Sequence, residues 1–146
     1  MLIQALTWLL ALPSPAATSY ANLIKRYGHG LDPLLVVAVI YRESRGRKHA
    51  ISHTNDYGLL QLHVSDTTNT RYRGSERLLL DPARNIRIGT RMLRAWKRYH
   101  DKHCKGLKHR WWGHYNQGGR VRSRRYGIKV LSTFDMLVSK FRAGII

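Results

Sequence analysis

Read from its first residue, the chain opens with an apolar run over residues 2–12, Leu-Ile-Gln-Ala-Leu-Thr-Trp-Leu-Leu-Ala-Leu, closed by Pro13-Ser14-Pro15-Ala16-Ala17-Thr18-Ser19. Eleven residues are too few to span a bilayer as a helix, which takes about 20. The length and the small residues behind it suit the apolar core and cleavage region of a signal peptide, although no Lys or Arg precedes the run. Residues 1–18 are therefore expected to be a signal peptide or a first apolar helix, and residues 19–146 one folded domain.

Beyond Ser19 the periodicity is helical. Asp32-Pro33 combines an N-cap acceptor with proline at the first helical position. The stretch from Leu34 is apolar nearly all round until Tyr41, which predicts a buried central helix ending near Arg45-Gly46. Asp81-Pro82 repeats the start signal. In the helix after it, Ile86, Gly89, Met92, Leu93, Trp96 and Tyr99 share one face, while Arg84, Arg87, Arg91, Arg94 and Arg98 form a cationic stripe. A short segment over His109–Asn116 and a last one over Arg124–Arg142 complete a mostly α pattern. A small hairpin fits only in the loop after the central helix, Ala50–Gly58.

Charge narrows the partners. Lys and Arg total 26 against 8 Asp and Glu, a net charge of +18. Residues 1–88 carry 11 basic and 6 acidic side chains, and residues 89–146 carry 15 and 2, so the C-terminal part should meet an anionic partner first. No zinc-finger, homeodomain or RRM signature accompanies that charge, so no specific nucleic acid is expected. The arginines of Arg120-Val121-Arg122-Ser123-Arg124-Arg125 read as a solvated face, with membrane disruption as a side activity to test. A single cysteine, Cys104, excludes an internal disulfide framework. His100, His103, Cys104 and His109 lack paired metal-ligand spacing, so neither metal nor cofactor is expected.

Glu43 is the residue most suited to chemistry. It lies one turn beyond Val39 and Ile40 and two beyond Val36, on a face that must pack inward. Desolvation raises a carboxyl pKa, and a carboxylic acid still protonated near neutral pH is what a general acid requires. An exposed glutamate in the last turn, or one paired with Arg42, Arg45 or Arg47, is the plainer alternative. Asp56 reads as a turn-forming residue, with a second carboxylate facing the cleft as the alternative, and Glu76, between Arg73 and Arg77, as solvated.

Four motifs surround that glutamate: Arg42-Glu43-Ser44; Asp56-Tyr57-Gly58-Leu59-Leu60-Gln61-Leu62; Asn85-Ile86-Arg87-Ile88-Gly89; and Tyr115-Asn116-Gln117-Gly118. Tyr126–Leu131 follows them. In this order they resemble the lysozyme-like lytic transglycosylases, which are related to goose-type lysozymes. The resemblance implies a single lysozyme-like helical domain, exported, that cleaves the glycan strands of peptidoglycan. It implies Glu43 as acid and base, with Ser44, Tyr57, Gly58, Gln61, His63, Tyr115 and Asn116 around the substrate. Gly58 is expected to admit a sugar ring, having no Cβ. Gln61 suits an N-acetyl group, and for Gln61 and Asn116 alike a structural hydrogen bond to loop backbone is the alternative. Leu60 stands where the family usually has Met, and Gln117 where it has Ala. His63 stands where goose-type lysozymes carry an Asp tied to hydrolysis, which favours transglycosylation. A hydrolytic muramidase and an inactive cationic module that binds wall or nucleic acid are the alternatives.

Overall fold

The computed structural model describes residues 1–28, 30–64, 72–105, 110–119 and 124–146. Its described elements are six α-helices, one 3-10 helix over Glu76–Leu80 and one two-stranded ribbon: α1 (Leu2–Leu10), α2 (Ser14–Tyr27), α3 (Pro33–Ser44), β1 (Asp56–Tyr57), β2 (Leu62–His63), α4 (Pro82–His103), α5 (Gly113–Gln117) and α6 (Arg125–Arg142). The mostly α, single-domain expectation holds. His109 and the arginines at 120 and 122 lie outside the described residues.

The two Asp-Pro signals start helices as expected. Asp32 accepts from the Leu34 amide and Asp81 from the Arg84 amide, each at 2.8 Å, filling donors that a helix leaves open. Helix α3 has no polar face from Leu34 to Ile40, and all seven of those residues are buried. It is the central helix, packed against α1, α2 and α6. It ends because Arg45 turns left-handed at φ 56° and Gly46 follows at φ 78°.

Helix α1 buries Leu2, Ala5, Leu6 and Leu10, a helical stripe, against α2 and α3. Among the described residues no helix is long and apolar enough to cross a membrane.

The hairpin forms, with its first strand inside Ala50–Gly58 and its second beyond it. Asp56 pairs with His63 and Tyr57 with Leu62, antiparallel, and Ile51 bridges to Tyr57. Gly58 and Gln61, at φ 75° and 45°, turn the chain between the strands. That register sets Asp56 and His63 side by side on one face of the ribbon.

Candidate active site

A cleft of about 790 Å³ opens between the end of α3, the ribbon, α4 and α5. Glu43 comes from the last turn of α3, Asp56 and His63 from the ribbon, Gln61 from its turn, and Tyr115 and Asn116 from α5. The apolar face of α4 runs from the core, where Ile86 and Leu93 are buried, into the cleft, where Met92, Trp96 and Tyr99 line the wall.

The arginine stripe divides. Arg91 and Arg98, seven residues apart on one face, line the cleft. Arg94 instead donates to the Tyr27 carbonyl at 2.9 Å, tying α4 to α2.

Glu43 sits where α3 leaves the core. Burial pushes its carboxyl from the ordinary 4.5 to about 7, the Tyr126 hydroxyl donating to Oε1 at 2.5 Å opposes that rise, and the negative charge of Asp56 adds to it. The plainer alternative, an ion pair with Arg42, Arg45 or Arg47, does not form among the described residues: Arg42 donates to the Lys129 carbonyl and Arg47 to the Ser44 carbonyl. Tyr126 was not singled out as a site residue in the sequence, although it opens the Tyr126–Leu131 segment. Its own hydroxyl is held well above its ordinary value by burial and by the Glu43 charge, so it stays a donor.

Asp56 is in the cleft as well as in the turn. Its Oδ2 accepts from Ser52 at 2.7 Å and Thr54 at 2.5 Å, and its Oδ1 faces His63 Nδ1 at 2.8 Å. Burial pushes that carboxyl up, but the hydroxyls of Thr54 and Ser52 and the His63 ring outweigh it and hold the group below its ordinary value. Two carboxyl groups in one cleft are thus driven apart, one toward the acid form and one toward the anion.

Of the expected site residues, Glu43, Gln61, His63, Tyr115 and Asn116 line the cleft. Ser44, Tyr57 and Gly58 are not among its lining residues. The Ser44 hydroxyl is buried and donates to the Leu59 carbonyl at 2.9 Å and the Ile40 carbonyl at 3.3 Å, fixing the ribbon turn to α3. The expectation that Gly58 admits a sugar ring meets a different neighbour. A Cβ there would lie 2.4 Å from Asn85 Nδ2 and 2.8 Å from the Leu79 carbonyl oxygen. Gln61 donates through Nε2 to the Gly58 carbonyl at 2.8 Å and the Ala50 carbonyl at 3.3 Å, which fills its amide donors with loop backbone. Tyr115 donates to the Leu60 carbonyl at 2.7 Å, bracing α5 against the ribbon turn.

Asn85 organises that turn. It is fully buried, accepts from the Leu60 amide at 2.8 Å, and donates to the Tyr57 and Leu79 carbonyls at 2.8 and 2.7 Å. One turn later Gly89 lets Leu60 lie directly on α4, since a Cβ there would come within 2.3 Å of Leu60 Cδ1. The four motifs thus meet around one turn, with Glu43 at its mouth.

The family model described as the transglycosylase SLT domain matches residues 21–127, nearly three quarters of the chain. The chain belongs to the transglycosylase SLT domain family. The match includes Glu43 and Tyr126 and every residue of the cleft wall named above. Members of the SLT family are lytic transglycosylases that act on peptidoglycan, so the substrate class of the cleft is the bacterial wall.

Proposed function

We propose that this chain cleaves the β-1,4 bond between N-acetylmuramic acid and N-acetylglucosamine and leaves a 1,6-anhydro end, with Glu43 as acid and then base. The observation that carries this is the Glu43 carboxyl, raised to about 7 at the cleft and held by Tyr126. In its acid form it protonates the oxygen of the glycosidic bond as the bond to C1 breaks. The substrate's own acetamido oxygen bonds to C1 and spreads the positive charge, one of the exceptions to the rule of two carboxylates. The Glu43 carboxylate then removes the proton of the C6 hydroxyl. O6 displaces the acetamido oxygen at C1 and closes the ring. The proton is back on Glu43, and no water is consumed.

Tyr126 donates to the carboxyl in both forms and so holds it for both steps. Arg91 and Arg98 give the cleft a positive wall suited to the carboxylates of stem peptides, and the wider cationic surface suits anionic wall polymers. The enzyme acts outside the cytoplasm, where its substrate lies. Replacement of Glu43 by Gln removes the acid but leaves its shape and its acceptor for Tyr126. The folded variant should release no soluble muropeptide from purified peptidoglycan, and release near the wild-type rate would remove Glu43 from the role.

One observation favours hydrolysis as a second reading: the ionised Asp56 shares the cleft with Glu43. Against it, both Asp56 oxygens already accept hydrogen bonds, from Ser52, Thr54 and His63.

A further inference from the structure

At the α4–α5 side of the cleft, which His114 also lines, is a cluster that the proposed reaction does not use. His100 and Cys104 are four residues apart, at the end of α4, and His114 is fully buried on α5. Their nearest ligand-type atoms all lie within 4.8 Å of one another. The spacing His-x3-Cys-x9-His brings together donors from two elements, and His114 was the member that sequence spacing did not reveal.

The geometry within the cluster is specific. His114 Nδ1 lies 2.8 Å from the Gly118 carbonyl oxygen. A carbonyl only accepts, so Nδ1 carries a proton, and Nε2 is the nitrogen that faces the cluster. That Nε2 lies 3.2 Å from His100 Nδ1 and 3.6 Å from Cys104 Sγ. A tetrahedral ion with bonds of about 2.0–2.1 Å to nitrogen and about 2.3 Å to sulfur sets edges of about 3.3 Å between two nitrogens and about 3.6 Å between nitrogen and sulfur. Two edges of such a tetrahedron are already in place. The backbone carbonyl on the far nitrogen of His114 is the partner that metal-bound histidines characteristically have.

The surroundings add a second argument. Cys104 closes α4, a helix of 22 residues whose C-terminal end carries the negative pole of its dipole. The neighbouring side chains are mainly cationic, Lys97 and Lys102 among them, and Asp101 is paired with Lys97 at 2.8 Å. A dication there needs an anionic ligand, which the Cys104 thiol supplies by releasing its proton on binding.

We propose that His100, Cys104 and His114 form a binding site for a zinc-class divalent ion, with three protein ligands and one open position. The ion fastens the end of α4 to α5, the helix that carries Tyr115 and Asn116 into the cleft. This assignment is independent of the proposed reaction, which needs no metal.

The test is titration of chelator-treated, metal-free protein with Co2+, followed by competition with Zn2+. Wild type should take up one Co2+ per chain, with a thiolate-to-cobalt charge-transfer band and the intense visible bands of a tetrahedral site. Zn2+ should abolish both and raise Tm. Cys104→Ser should lose the charge-transfer band and the Zn2+-dependent rise in Tm. His100→Ala, which removes the least buried ligand, should weaken binding by at least about tenfold. It also serves as the informative variant if Cys104→Ser does not fold. His103→Ala, at an exposed neighbour whose ring lies tilted against Tyr99 outside the triad, should bind as wild type does. A charge-transfer band that survives Cys104→Ser, binding undiminished in His100→Ala, or no uptake by folded wild-type protein would each overturn the site.

Discussion

Replacing Glu43 by Gln should make the protein more stable above neutral pH while abolishing its chemistry. The folded state holds this carboxyl at about 7, against 4.5 ordinarily, so between those values the folded chain binds more protons than the unfolded one. Stability therefore falls as pH rises through this window. The displacement corresponds to about 3 kcal/mol of cost, fully developed above about pH 7 and absent well below 4.5. Gln carries no charge at any pH and still offers an oxygen to the Tyr126 hydroxyl, so the variant escapes that cost. Urea unfolding of wild type and Glu43→Gln at about pH 4 and pH 8 isolates the effect, because other titrating groups are common to both. The difference in unfolding free energy should shift in favour of the variant by about 3 kcal/mol between the two pH values. A difference that does not change with pH would refute the argument that burial keeps Glu43 protonated.

Four further outcomes follow from the same contacts. Tyr126→Phe removes the hydroxyl that opposes the rise of the Glu43 carboxyl, so the alkaline limb of the pH–rate profile should move above about 7, with a stability loss of about 1 kcal/mol in denaturant titration. Asp56→Asn removes a charge that raises Glu43, so that limb should move down while 1,6-anhydro products persist; loss of all cleavage in the folded variant would put Asp56 in the chemistry itself. Asn85→Ala leaves the Leu60 amide and two carbonyls without their partner in a buried turn, and the midpoint of urea unfolding should fall by the equivalent of about 3 kcal/mol. Gly89→Ala forces a methyl against Leu60 and should cost about 1–3 kcal/mol by the same measurement.

Much of the helical frame was legible because its signals are local. Asp32-Pro33 and Asp81-Pro82 act within one turn, and both caps form as their side chains suggest. The inward placement of Glu43 was legible because a single helical period ties it to Val36, Val39 and Ile40. The partners of Ser44 and Gly58 were not, because each lies across a loop in sequence, while the bond of Gln61 to loop backbone was one of two readings. Ser44 reaches Leu59, Gly58 meets Asn85, and Gln61 turns back on Ala50 and Gly58. Tyr126 is 83 residues from the carboxyl it touches, and only the packing of α6 on α3 joins them. Asp56 was half legible: its turn hydroxyls are two and four residues away, but its place in the cleft follows from the register opposite His63. His114 joins His100 and Cys104 only once α5 folds back on α4.

Mass spectrometry of the muropeptides released from purified peptidoglycan, with Glu43→Gln in parallel, bears most directly on the central claim. Fragments ending in 1,6-anhydro-N-acetylmuramic acid, one water lighter than reducing ends and absent with Glu43→Gln, are the predicted products. Reducing ends from the wild-type chain, or no fragments from folded wild-type protein that still binds the wall, would contradict it.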